Sequence, residues 1–540
     1  MNSFFLPHDT ILHARTQLSG KMSGMSCRRG SSFYCNVRGK YGKLVRSLRG
    51  AEGGSIVSGR DLSVTEREIR RRRGNLLLKC MIALLLLIII ALAALLVYEL
   101  RFRNYQNPWA QAAAEQAAAA SEKESSEDPD GGAAAVLLSA DEAASLESQA
   151  NRLAAQYDYD GAISLLRAQA GYDRNNRFKN LVSTYESAKA GCSPYPIDQI
   201  THVFFHTLIW DDAKAFDGDE DTAGYNQVMT TVSEFNSIIS QMYNRGYVMV
   251  SLHDMVETAP DGSVKPKEIL LPAGKIPFVL SQDDCSYYHY MDGDGFAQKL
   301  IVTEDGKVKN TYIEDDGSVS VGDYDVVPLI DTFVEQHPDF AYHGHKGILA
   351  LTGYEGVLGY RTDEVYKTRQ ADRVTEYQAR FFEQNPDFDF ESEVAQAKAV
   401  ADAMKAEGWE FASHTWGHIN PRQYGIESVT TDTQRWQSWV APVTGDTDVL
   451  IFAFGADIGN WEPYTSDNEY FALYKGAGFN IYCNVDSSVK AWVQVGSNFL
   501  RQGRRNLDGY RMYYSPDLIS DLFDVSSAWD SNRPTPVPQM

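Results

Sequence analysis

Two histidines four residues apart, His414 and His418, close an apolar run containing Trp409, Phe411 and Ala412, with Gly417 between them. If the chain curls into a turn there, both imidazoles face one point, as a metal requires. Well upstream, Asp283 and Asp284 follow Ile276-Pro277-Phe278-Val279-Leu280, a short apolar run that reads as a buried strand. In parallel sheets ligands bind beyond the C-terminal ends of the strands. Adjacent carboxylates leaving a strand point in different directions, so one can ligate an ion while the other takes a proton from the water the ion activates. Imidazole and carboxylate together suit zinc or a similar divalent ion, and an open catalytic site uses three protein ligands with a position left for water. His414 and His418 supply two of the three.

The elements that must position these groups alternate between strand and helix from Cys192 onward, which argues for a mainly parallel sheet covered by helices. Strand patterns are Val203–His206, Gly246–Leu252, Ile276–Leu280, Gly347–Thr352, Val449–Phe454 and Phe479–Val485. Helical patterns include the stretch around Phe235 and Ile238, Val326–Val334, Glu391–Glu407 with Gly408 as terminator, Thr431–Trp439 and Glu469–Lys475. Between the acidic pair and Val326, three short β segments separated by Asp305-Gly306 and Asp316-Gly317 turns read as an inserted meander.

On these residues the sequence resembles the polysaccharide deacetylases of carbohydrate esterase family four. Ser281-Gln282-Asp283-Asp284-Cys285 is similar to that family's Thr-Phe-Asp-Asp-Gly motif, and His414-Thr415-Trp416-Gly417-His418 to its His-Ser/Thr-x-x-His motif. In layout the chain is similar to the deacetylases of poly-N-acetylglucosamine, over about Thr201 to Asp524. The resemblance implies an α/β fold, a distorted (β/α) barrel of the polysaccharide deacetylase type. It implies Asp283 as catalytic base and Asp284, His414 and His418 as ligands of a divalent metal, with Zn2+ the first choice. It also implies hydrolysis of N-acetyl groups on an N-acetylated polysaccharide, the oxyanion resting against the metal and a backbone amide.

Two family features are missing. The strand that would carry the third-motif arginine runs Phe452-Ala453-Phe454-Gly455-Ala456-Asp457, and no histidine follows His418 to serve the Leu-x-His motif. Arg504, Arg505 and Asp508 are candidates for the missing arginine function, Arg505 being assigned to substrate. His206, which ends the first barrel strand, is the candidate acid. Trp416 is assigned to substrate, and Tyr287, Tyr288, Trp436 and Trp461 are further aromatics that stack on sugars or simply pack. The alternatives left open are a catalytically inactive glycan-binding module on the same fold and an ester deacetylase.

The rest of the chain reads as delivery. Met1–Lys79 holds 16 Lys and Arg against 5 Asp and Glu, a net +11, which leaves −33 on Cys80–Met540 since the whole carries −22. The apolar run 76–98 is long enough to cross a hydrocarbon core of about 30 Å, and Arg70–Arg73 immediately before it place the N-terminus in the cytoplasm. The expected organisation is a basic, disordered cytoplasmic arm (1–75), a single-pass transmembrane helix (76–98), an Ala-rich and acidic linker (99–138), a tetratricopeptide-like helical hairpin serving as stalk (139–192) with Asp141 capping its first helix, an extracellular catalytic domain (193–526) and a tail (527–540). Basic residues beside an anchor are those topology requires, so no nucleic-acid partner is assigned. With Cys192, Cys285 and Cys483 outside the membrane, no disulfide framework is implied.

Overall fold

In the computed structural model, which describes residues 138–370 and 373–540, seven short strands wind in chain order into a closed parallel ring. They are β1 (Thr201–Phe205), β2 (Ile276–Asp283), β3 (Ile348–Leu351), β4 (Glu410–Ser413), β5 (Val449–Ile451), β6 (Ile481–Val485) and β7 (Leu500–Asn506). Each pairs parallel with the next, and β7 pairs with β1 to close the barrel. Period-two alternation sorts the side chains between two cores. Val203, Phe205, Phe278, Leu280, Leu349, Leu351 and Phe411 face outward into the layer shared with helices. Val279, Ile348, Ala350, Ala412, Val449, Ile451, Ile481 and Cys483 fill the lumen. The β/α-barrel expectation holds at this level, and the three short segments after the acidic pair form an antiparallel three-stranded sheet.

Three helices precede the ring: α1 (Ala140–Ala155), α2 (Tyr159–Arg167) and α3 (Asn176–Ala190). They share a small core of Ala150, Ala162, Leu166, Phe178 and Val182. The cap of α1 is Ser139, not Asp141: Ser139 Oγ accepts from Glu142 N while the Glu142 carboxylate accepts from Ser139 N, a reciprocal capping box. The α1–α2 turn is tied to the barrel, where Tyr157 donates to the Asp339 carbonyl at 2.9 Å and stacks on Tyr342.

The outer layer comprises α4 (Val232–Asn244), α5 (Val326–Gln336), α6 (Phe390–Ala406), α7 (Ile426–Trp439), α8 (Glu469–Gly476) and α9 (Gly509–Tyr514). In α4, a Thr231/Glu234 capping box starts a helix whose Phe235, Ile238, Ile239 and Met242 are buried against β1, each such side chain contributing roughly 1.5–3 kcal/mol by leaving water. The β6–β7 connection runs instead through Trp492–Val495, a strand antiparallel to β7. β7 itself carries three buried arginines, each paired with a carboxylate: Arg501 with Asp457, Arg504 with Asp283 and Arg505 with Asp521.

The arm, the apolar run 76–98 and the linker up to residue 137 lie outside the described residues. Among the described residues no helix is long and apolar enough to cross a membrane. Residues 527–540, set apart as a tail by sequence, are built into the fold. The Arg533 guanidinium, fully buried, bonds the buried Glu234 carboxylate of α4 and the carbonyls of Asn226 and Met229. Breaking such a pair leaves a charge buried without a partner. Arg533→Met is therefore expected to lower unfolding free energy by about 3–5 kcal/mol, measured by urea denaturation; an unchanged midpoint would mean that the segment is dispensable.

Candidate metal centre at the barrel mouth

The C-terminal ends of the strands bring the sequence motifs together. Asp283 ends β2 and Asp284 follows it; His414 follows β4, and a tight turn returns His418 to the same side. One ligand atom from each of Asp284, His414 and His418 lies within 4.8 Å of the other two. His418 Nε2 is 3.6 Å from Asp284 Oδ2, and the two imidazole centroids are 5.0 Å apart. Asp284, Thr415, His418 and Phe454 all have positive φ, between 49° and 62°. Non-glycine residues held there cost of order 1–3 kcal/mol each and concentrate at functional sites, where the surroundings over-determine them.

Those surroundings are visible. Asp432 on α7 accepts from Trp416 N at 2.7 Å and from Gly417 N at 2.8 Å, and Thr415 Oγ1 accepts from Ile419 N at 2.8 Å, so the histidine turn is fixed from outside. Burial raises the Asp432 carboxyl to about 6 against those two amides and Arg435. Gly417 makes room for this carboxylate, since a Cβ there would lie 3.1 Å from Asp432 Oδ1. His414 Nδ1 lies 2.8 Å from the Ile451 carbonyl, which can only accept. The proton is therefore on Nδ1, and Nε2 offers its lone pair to the site. Tyr288 donates to Asp284 Oδ1 at 2.9 Å, orienting the third ligand.

Electrostatics favour the ligating forms. Burial drives His418 down to about 4, with the charge of His206 acting in the same direction, and lowers His414 against the pull of Asp283 and Asp284. Both imidazoles are neutral at pH 7, as metal ligation demands. A His2Asp donor set of this kind fits a divalent ion with an open position.

Asp283 does not join that set. Arg504 grips its carboxylate with two parallel bonds, 2.7 Å to Oδ1 and 2.9 Å to Oδ2, while Oδ2 stands 3.8 Å from His414 Nε2. Burial raises the Asp283 carboxyl, but Arg504, His414 and His206 outweigh burial and hold it well below the ordinary carboxylate range. A polar column supports the pair from within the lumen. Arg504 donates to Ser281 Oγ, Ser281 meets His202 Nε2 at 2.9 Å, and His202 Nδ1 meets Gln502 Oε1 at 3.1 Å. Burial and the nearby Arg504 charge keep His202 neutral, well below its usual value.

His206 follows β1 at the same mouth. Its Nδ1 is 3.0 Å from the Val228 carbonyl, at the end of the short helix Thr222–Val228 that Arg533 fastens, so Nδ1 carries a proton and Nε2 is left to bind or release a second. It is close enough for its charge to act on Asp283, His418 and the buried Asp508.

Other sequence candidates fall elsewhere. Arg505 points to the outside of β7, where it pairs with Asp521 and bonds the Leu518 carbonyl, so its guanidinium does not face the mouth. Strand alternation is the reason: Gln502 and Arg504 point inward, and Arg505 must point outward. Trp416 is half-buried, one face covered by the Arg435 guanidinium at 4.2 Å and its edge against Gly353, where a Cβ would come within 2.1 Å. It packs rather than presenting a bare stacking face. Tyr287, Tyr288 and Trp436 are buried, with hydrogen bonds to Asp325, Asp284 and the Leu351 carbonyl. Trp461 is 73% exposed. The residues that sequence reasoning missed are those acting through another group: Tyr288 as orienter, Asp432 as anchor of the turn, and the His202–Ser281–Gln502 column.

No family model matches the sequence, and no curated protein matches it. The chain is similar to a solved structure, the Streptococcus pyogenes deacetylase PplD in complex with acetate, at 11% identity and a TM-score of 0.32, over 61% of this chain and 99% of that one. A likeness of that extent carries no argument about chemistry.

Proposed function

We propose that this barrel is a metal-dependent deacetylase that removes N-acetyl groups from an amino-sugar polysaccharide. The observation that carries this reading is the juxtaposition of a His2Asp ligand set, its two imidazoles neutral, with a second carboxylate, Asp283, held beside it by Arg504. A divalent ion held by Asp284, His414 and His418, with Zn2+ the first choice, would supply Lewis acidity to acidify a water and polarise the acyl oxygen. Asp283 takes the proton of the attacking water, and Arg504 keeps that carboxylate ionised and aimed. His206, its Nδ1–H committed to Val228, acts from its doubly protonated form, passing the Nε2 proton to the departing amine and being left as the neutral imidazole. Arg504 and His206 thus offer the two functions that the sequence lacks at the family's positions, which favours an enzyme over an inactive glycan binder.

The reading extends to the cell membrane, with a single-pass anchor, a cytoplasmic N-terminus and the barrel outside, and what supports it is the apolar run 76–98 with the arginines that precede it in the sequence. The test is acetate release by the purified protein from N-acetylated and O-acetylated glycans with Zn2+, Co2+ or Mn2+. Release from N-acetylated polymer supports the proposal; release from O-acetylated polymer alone makes it an ester deacetylase, and binding without release an inactive module.

A further inference from the structure

Strand alternation brings inward-facing side chains together in steps of two residues. On the neighbouring strands β7, β1 and β2 these positions carry Gln502 and Arg504, His202 and Phe204, and Ser281 and Asp283, with Arg504 registered beside His202 and Phe204 beside Ser281. All six are buried. A barrel interior is ordinarily filled by branched apolar side chains, and polar groups sealed inside are costly unless each finds a partner.

The hydrogens of this layer can be placed, because it ends on a group that only accepts. Gln502 Nε2 donates at 2.9 Å to the carbonyl of Ile200, just before β1, and this turns Gln502 Oε1 toward His202 Nδ1 at 3.1 Å. An amide oxygen accepts, so Nδ1 carries the hydrogen. Burial and the Arg504 charge keep His202 neutral, which leaves Nε2 as a bare acceptor 2.9 Å from Ser281 Oγ. The Ser281 hydroxyl therefore gives its one hydrogen to His202 and keeps its lone pairs for Arg504, which donates to Oγ at 3.2 Å. Run backwards, the chain would leave Gln502 Oε1 facing a bare Nδ1, two acceptors with no hydrogen between them. Arg504 is the last link before the mouth. Its Nη1 is shared between Ser281 Oγ and Asp283 Oδ1, its Nη2 bonds Asp283 Oδ2, and its Cζ lies 4.2 Å from the centre of the Phe204 ring. A guanidinium and a carboxylate joined by two parallel bonds can swing as one body, so their aim is set only by a contact outside the pair. Among the described residues Ser281 is the one further hydrogen-bond acceptor that Arg504 has.

We propose that Ser281 and His202 are positioning residues for the reaction: a one-way chain of hydrogen bonds anchored on the Ile200 carbonyl holds Arg504, and through it aims Asp283 at the attacking water. What Asp283 does rests on the deacetylase reading, but the chain is also tested without it. With full-length protein and an N-acetylglucosamine oligomer, Ser281→Ala is expected to lower kcat about tenfold by loosening the base, with KM and bound metal unchanged because neither substrate nor ion is touched. Ser281→Thr, which keeps the hydroxyl, should restore kcat, and His202→Phe, which takes away the acceptor of that hydroxyl, should lose it to a similar extent. Heteronuclear NMR on isotope-labelled histidine and arginine is the second readout. Wild-type His202 should carry its proton on Nδ1 alone, and the sharp guanidinium signals of Arg504 should be lost in Ser281→Ala and kept in Ser281→Thr. A proton on His202 Nε2, or on both nitrogens, overturns the chain. A wild-type rate in Ser281→Ala with the Arg504 signals intact overturns the positioning role and leaves the deacetylase standing. If wild type releases no acetate from any glycan, the deacetylase reading falls, and the Arg504 signals alone then decide whether Ser281 holds that side chain: their loss in Ser281→Ala upholds the anchor, and their persistence removes it.

Discussion

His414→Ala is expected to take bound metal from about one ion per chain to near none, and hydrolysis with it. The lost group is one of three ligands, and the other two cannot close around the gap. Asp284 is held by Tyr288 and His418 by the turn that Asp432 anchors, so neither can swing to compensate. Asp284→Asn should behave alike, because it removes the only charge in the ligand set. Tyr288→Phe keeps every ligand but frees Asp284 to rotate, and should weaken metal binding by about 10- to 100-fold. Elemental analysis and competition with a chelator separate these outcomes. His253→Ala is the control, since His253 sits at the opposite end of the barrel between Glu410 at the start of β4 and Asp448 just before β5. It should keep its metal while losing stability. Burial disfavours the charged imidazole, but Asp448 and Glu410 override it and raise His253 to about 10. A raised value makes the contribution complete below about pH 6.5, fading as pH rises toward 10, so the destabilisation should be larger at pH 6 than at pH 10. Metal retained in both His414→Ala and Asp284→Asn would place the centre elsewhere.

What sequence could disclose here follows what produces a local signal. The two motifs were legible because ligand spacing and the strand before Asp283 are local. The barrel was legible because β1 to β6 are apolar on at least one face. β7 was not, because Arg501, Arg504 and Arg505 give it the composition of a solvated turn; only their distant partners Asp457, Asp283 and Asp521 make them affordable inside. The same cause sent Arg505 to substrate. Sequence identifies a pair of arginines, but which one faces the lumen depends on strand register, and register is fixed by pairing with β1 and β6. Asp432 and Val228 act through hydrogen bonds that involve backbone groups at distant positions, which leave no spacing to read, and Tyr288, only four residues from Asp284, reaches it because of a loop conformation that sequence does not announce.

Asp283→Asn tests the base and, through Arg504, the stability of the whole mouth. Hydrolysis should fall by about 10²- to 10⁴-fold, the usual worth of a positioned general base, with metal retained because Asp283 is not in the ligand set. Taken from sequence alone, the same substitution would leave the fold untouched. The structure argues otherwise, since Asp283 and Arg504 are both nearly fully buried and joined by two bonds. Neutralising one partner strands the other charge, at a cost of about 3–5 kcal/mol. Arg504→Met should be comparably destabilising and also slow, because the carboxylate loses what keeps it ionised and aimed. The double variant Asp283→Asn/Arg504→Met removes both charges together, and its stability should return to within about 1–2 kcal/mol of wild type, replacement of a whole buried pair being nearly neutral. Its rate should not return. Stability restored while the rate stays low assigns the loss of turnover to the missing carboxylate and not to a damaged fold; a double variant that regains hydrolysis would show that Asp283 serves only to neutralise Arg504, and the proton would then have to leave through another group.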